Sequence, residues 1–239
     1  METASQVPRQ LDVLSSKGAY AVIASLPKNA TSLAVQAEEA GVDAVMMNID
    51  GEEGSHPSHF GSYDLHDAYI NDVVSTLRVP CGIFIGGGRA ITEEYWERVM
   101  SSRFSFVDMY AHQMPLFILS DERLKRLTAV STGYILEQVK QLSHTDGVEA
   151  IDVATVSPLA RGSPFTALDF STVGVICSLS ARPVLLRTQK KLTRGDIARV
   201  VAQGVRGLIV DPSILSGTDE TYKDELSRLG PVLQDAEPQ

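Results

Sequence analysis

The chain has 239 residues, 44% of them apolar, and 21 basic against 30 acidic residues give a net charge of −9. That length suits a single α/β barrel domain over 1–239, with 1–17 as a lead-in and 234–239 as a frayed tail. No stripe of lysine or arginine tracks a phosphate backbone, so nucleic acid and anionic membrane surfaces are not expected partners.

The only cysteines, Cys81 and Cys177, each sit in an apolar segment without C-x-x-C spacing, which fits a reducing compartment. The opening METASQVPRQ has no apolar h-region, and no run of about 18 residues is free of charge. The expectation is a soluble, unexported, cytoplasmic protein.

In chain order, short apolar and β-branched runs alternate with segments of helical period. The strands expected are AYAVIASL (19–26), VDAVMMNID (42–50), VPCGIFIGG (79–87), FSFVDMYAH (104–112), LTAVST (127–132), VEAIDVATV (148–156), RPVLLRT (182–188) and VRGLIVD (205–211). Helices lie between them, as in TSLAVQAEEAG, ITEEYWERVMSSR, YILEQVKQLSHTDG and TRGDIARVVAQG. Polar or Thr starts and, in several, a Gly stop mark their ends. In EEAGVDAVMM, HTDGVEAIDV and AQGVRGLIV a helix-closing glycine leads straight into the next strand. Eight βα units with right-handed crossovers make a single (β/α)8 TIM barrel; an open doubly wound sheet would need fewer strands or a longer chain.

Polar residues gather at the carboxyl ends of these strands, which share one rim in a barrel, and that rim is where such enzymes build their sites. The first strand offers Ser25 and Lys28. The second offers Asn48, Asp50, His56, His59 and Ser62, the fourth Asp108, Tyr110, His112 and Gln113, and the fifth Ser131 and Thr132. The sixth offers Asp152 and Thr155. The seventh ends in RTQKKLT with Thr188, Gln189, Lys190 and Lys191, and the eighth in DPSILSG with Ser213, Ser216 and Gly217. Side chains two apart share a face, so Asp50, Asp108, His112 and Asp152 are expected to converge on the mouth. An inward Asp partway down a strand also serves as an acceptor for Lys or Arg of a neighbouring strand, and both roles stay open here.

The long loop GEEGSHPSHFGSYDLHD, with His56, His59 and His66, reads as a substrate loop; its H-x-x-H spacing could ligate a metal, but cysteine partners are lacking. IGGGR is not a dinucleotide fingerprint; its glycines allow tight rim geometry or close backbone approach. The loops after the seventh and eighth strands carry hydroxyls, backbone amides and Lys190, a set that can hold a phosphate or carboxylate.

The stretch RPVLLRTQKKLTRGDIARVVAQGVRGLIVDPSILSG resembles the last quarter of the phosphate-binding (β/α)8 aldolases, sugar-phosphate isomerases and synthases. VIASLPKNATSLAVQAEEAGVDAVMMNID is similar to the opening of the same superfamily. Triosephosphate isomerase in that superfamily places Lys, His and a carboxylate at the ends of strands 1, 4 and 6, and Lys28, His112 and Asp152 match those places. This chain departs from that enzyme in having Asp for Glu and in lacking its signature sequences, so the resemblance implies carbonyl–enolate chemistry in general.

The expectation is therefore an enzyme, aldolase-like lyase or isomerase, acting on a small anionic, phosphorylated carbonyl compound without a cofactor. Asp152 or Asp108 would be the base, His112 the proton shuttle or carbonyl polariser, and Lys28 the oxyanion stabiliser. Ser25, Asn48, Asp50, His59, Tyr110, Thr188, Gln189, Lys190 and Ser213 would bind substrate. The second, fourth, fifth and sixth strand segments hold no lysine for a Schiff base. Two alternatives stay open: a divalent metal on Asp50, Asp108, His112 or Asp152 stabilising an enolate, and a non-catalytic barrel that binds or regulates. Association into a homo-oligomer is compatible with each.

Overall fold

All eight apolar runs become strands of one sheet. The computed structural model describes residues 20–51, 60–87, 89–210, 222–224 and 226–229. The strands are β1 (Ala21–Ser25), β2 (Ala44–Ile49), β3 (Cys81–Ile85), β4 (Phe106–Tyr110), β5 (Lys125–Val130), β6 (Ala150–Val153), β7 (Val184–Arg187) and β8 (Val205–Val210). Each pairs in parallel with its successor, and β8 pairs with β1, so the sheet closes into a barrel. Around it run α1 (Thr31–Glu39), α2 (Tyr63–Thr76), α3 (Glu93–Met100), α4 (Leu116–Leu119), α5 (Leu136–Ser143), α6 (Ala167–Leu179) and α7 (Arg194–Ala202). The fold is a single (β/α)8 barrel, as the alternation implies. No helix among the described residues is long and apolar enough to cross a membrane.

Local chemistry explains the helix ends. Thr92 accepts from the Tyr95 amide at the start of α3, and Thr166 and Thr193 form capping boxes with Asp169 and Asp196 before α6 and α7. Gly41 and Gly204, at φ 84° and 109°, directly follow the C-caps of α1 and α7 and carry the chain into the next strand. The third expected stop behaves differently: α5 is capped by His144, and Gly147 (φ 91°) turns the chain three residues later.

Two cores follow from the strand alternation. Odd and even positions separate into an outer layer between sheet and helices, which holds Val45, Met47, Val107, Met109 and Trp96, and an inner plug of Ile23, Ala44, Met46, Phe106, Leu127, Ala150, Leu185 and Ile209. Each large member of the plug contributes roughly 1.5–3 kcal/mol by leaving water. Gly82 is the space for Phe106, because a Cβ there would fall 2.2 Å from its ring. The plug fills the lower barrel and raises the floor on which polar groups sit.

β5 begins at Lys125, earlier than the expected Leu127, so one strand does start with a lysine. Its ammonium lies 3.5 Å from Glu149, at the amino-terminal end of the barrel and away from the mouth.

Candidate active site at the barrel mouth

Above the plug, inward positions carry Asp108 from β4, Asp152 from β6 and Arg187 from β7. The Arg187 Nε donates to Asp152 at 2.8 Å, and Nη2 donates to Asp108 at 2.5 Å and lies 2.7 Å from Asp152. Both aspartates are fully buried and the arginine is nearly so. The guanidinium also lies 4.7 Å above the Phe84 ring. Burial, and then the neighbouring Asp152 charge, push the Asp108 carboxyl well above the usual carboxylate range, although Arg187 opposes them.

One level higher the wall is aromatic. Tyr110 meets Phe84 edge-on at 5.7 Å and stacks with His112 at the same separation. Burial raises the Tyr110 hydroxyl, with Arg187 acting against it. His112 lies just beyond the end of β4 and is exposed. The Tyr134 hydroxyl, from the loop after β5, is 2.6 Å from His112 Nδ1 and accepts from the His112 amide at 3.1 Å. This double contact holds the ring at the edge of the mouth.

These groups surround a cavity of about 220 Å³, lined among others by Asn48, Tyr110, His112, Arg161, Arg187 and Gln189. Gly86 and Gly87 of the IGGGR run border it as well. Gly86 is required there: its amide donates to Ile49, and a Cβ would stand 2.5 Å from the Asp50 carbonyl. A larger groove of about 930 Å³ opens at the other end of the barrel, beside Arg78, Ser102 and Arg103. The strand amino termini there form the stability face of such folds.

The expected residues divide into groups. Tyr110, His112, Asn48 and Gln189 meet in the cavity wall. Asn48 is satisfied within the protein, donating to Ser25 Oγ at 3.1 Å and the Leu26 carbonyl at 3.0 Å, so it and the buried Ser25 tie β1 to β2. Asp108 and Asp152 lie beneath the cavity, committed to Arg187. This is the acceptor role that an inward aspartate can also play, and the geometry does not present either carboxylate to a substrate.

Four expectations are corrected. Asp50 does not face the mouth: its φ of 50° breaks the alternation and its carboxylate accepts from Tyr95 of α3 at 2.6 Å, in the outer layer. Lys190 turns outward to Asp169 of α6 at 2.7 Å, because Arg187 and Gln189 take the inward phase of this segment. Thr188 shares the outward face and borders a small crevice against α6. Lys28 is exposed in the loop after β1 and does not border the cavity. His56, His59, Ser213, Ser216 and Gly217 lie outside the described residues.

Of the four groups suggested for a metal only Asp108 and Asp152 come together, on Arg187, and no trio of His, Cys, Asp or Glu able to hold one converges among the described residues. Arg187 and Arg161 were missed. An arginine inside an otherwise apolar parallel strand is the signal that could have revealed Arg187, since such a charge is buried only with partners.

Fold and site together define a (β/α)8 barrel with a small polar mouth at the carboxyl ends of its strands. No protein-family model matches the chain, and no curated protein matches it in sequence. Among solved structures it is similar to thiamine phosphate pyrophosphorylase from Pyrococcus furiosus, at 14% identity over 90% of this chain and 95% of that one, TM-score 0.60. Ligand-free tryptophan synthase from M. tuberculosis is similar at 15% identity, 98% and 99% coverage, and TM-score 0.63. The tryptophan synthase alpha-subunit of Pyrococcus furiosus gives 12% identity, 87% and 95% coverage, and TM-score 0.62. The likeness is one of fold.

Proposed function

We propose that the protein is an enzyme acting on a small anionic, phosphorylated carbonyl compound, with His112 exchanging the proton next to the carbonyl. The observation that carries this reading is the single cavity that joins the oriented His112 ring to Arg187 and Arg161. Guanidinium groups match phosphate and carboxylate oxygens, and the volume suits a ligand of few heavy atoms. The shared fold with synthases, one of them named for a phosphate ester, supports the substrate class.

In this reading Asp108 and Asp152 position Arg187 rather than act as the base. The arginines take over the stabilisation of developing negative charge expected of Lys28. The enolate formed by removing that proton leads to isomerisation or to carbon–carbon cleavage, depending on the substrate.

The test is deuterium uptake. Dihydroxyacetone phosphate and glyceraldehyde 3-phosphate in D2O should exchange the hydrogen next to the carbonyl, seen by NMR. His112→Gln should slow this by about 10²–10⁴-fold.

One observation favours a second reading, a binding barrel without catalysis: both carboxyls beneath the cavity are engaged by Arg187, leaving His112 as the one imidazole at the cavity among the described residues. It predicts tight binding of such compounds with no exchange or cleavage, unaltered by His112→Gln.

A further inference from the structure

Gln189 follows β7 on the inward phase and is almost completely buried in the cavity wall. Its Oε1 accepts from the Val156 backbone amide at 3.1 Å. A backbone N–H can only donate, so this contact settles which end of the amide is oxygen and which is nitrogen. Nε2 is then the opposite end. It is buried and has no hydrogen-bond partner among the described residues.

An amide nitrogen left in this state costs stability, and native proteins retain such groups where a ligand completes them. The geometry is also rigid. The Gln189 amide donates to the Arg187 carbonyl at 2.8 Å, and its carbonyl accepts from Gly162 at 2.9 Å, so the backbone is held on both sides. Gly162 directly follows Arg161, which borders the same cavity. Gln189 therefore joins the loop after β6 to the end of β7 and borders the same cavity as Arg161 and Arg187.

We propose that Gln189 is a specificity-determining residue whose Nε2 donates to an oxygen of the bound anion. It selects ligands that present an acceptor there, a phosphoryl or carboxylate oxygen, over those that present a hydroxyl donor or a methyl group. The inference rests on the functional reading above, but it concerns binding alone and holds for a catalytic or a silent barrel. A site built to make a hydrogen bond rejects analogues that cannot make it, because the buried group is then left unpaired.

The test uses inorganic phosphate and dihydroxyacetone phosphate as probes in calorimetric titrations of the full chain. Gln189→Glu keeps an oxygen for the Val156 amide but loses the donor, while Gln189→Met loses the donor without adding charge. Both should weaken each probe by about tenfold or more, the range expected of a hydrogen bond to a charged group. In the unaltered protein the side-chain amide protons of Gln189 should shift in 15N-resolved NMR spectra as either probe saturates the site. A purely structural role would not move them.

Unchanged affinity in Gln189→Met, or amide signals that stay in place at saturation, would overturn the inference while leaving the functional reading intact. Weakening confined to Gln189→Glu would also overturn it, as charge repulsion acting without contact. If neither probe binds the unaltered protein, the functional reading and this inference fail together. Should both variants fail to fold, the amide titration decides alone.

Discussion

Arg187 Nε lies 2.8 Å from the Asp152 carboxylate, and the same guanidinium reaches Asp108 three strands away. This contact ties β4, β6 and β7 together at the level where the apolar plug gives way to the cavity. A charge this deep is tolerable because two carboxyls face it.

Arg187→Met should therefore destabilise the barrel by about 3–5 kcal/mol, because the two carboxyls lose their buried counter-charge. Urea unfolding at pH 7 measures this. A loss below 1 kcal/mol would show that the carboxyls do not depend on the arginine. Anion binding at the mouth should weaken as well, since the cavity loses a lining guanidinium.

Asp108 makes stability depend on pH in a defined direction. Its carboxyl is raised on folding from the ordinary 3.8, so the folded state keeps a proton that the unfolded chain releases above that pH. The stabilisation is complete below 3.8 and is lost as pH rises through the raised folded value. Asp108→Asn carries no such proton. Its unfolding free energy relative to the unaltered protein should improve with rising pH across that window, by up to about 1.4 kcal/mol per pH unit. A difference that stays flat in parallel melts from pH 4 upward would contradict the assignment.

Tyr134 acts on any reaction through His112. Tyr134→Phe removes the hydroxyl that holds Nδ1 and the His112 amide, both at an exposed site, so Tm should barely move. Turnover should fall by about tenfold and the pH–rate profile should change shape, since the orientation of the imidazole is no longer fixed. An unaltered profile would show that Tyr134 is only a packing residue.

Lys190 separates two views of the anion site. Its ammonium belongs to Asp169, whose carboxyl lies below the usual range because bonds from Lys190 and Thr166 outweigh the effect of burial. Lys190→Met should cost about 1–3 kcal/mol of stability, the penalty for leaving a partly buried carboxylate short of one donor. Phosphate affinity should stay the same. A large loss of phosphate binding would return Lys190 to the site.

The eight strands, their order and the polar character of their carboxyl ends are all legible in the residues from AYAVIASL to VRGLIVD, because apolar periodicity and helix stop signals are local properties. Tyr110, His112 and Gln189 could be placed at the mouth for the same reason. The partners of the charged residues could not. Arg187 meets Asp108 across 79 positions of sequence only once the barrel has closed, and nothing in either neighbourhood specifies that distance.

Asp50 left its expected face through one backbone angle, and Lys190 found a partner in α6 that its own strand does not foretell. Alternation along a strand determines which side chains can face inward. Closure of the sheet, and the packing of helices against it, decided which of those charges are neutralised and which remain for a ligand.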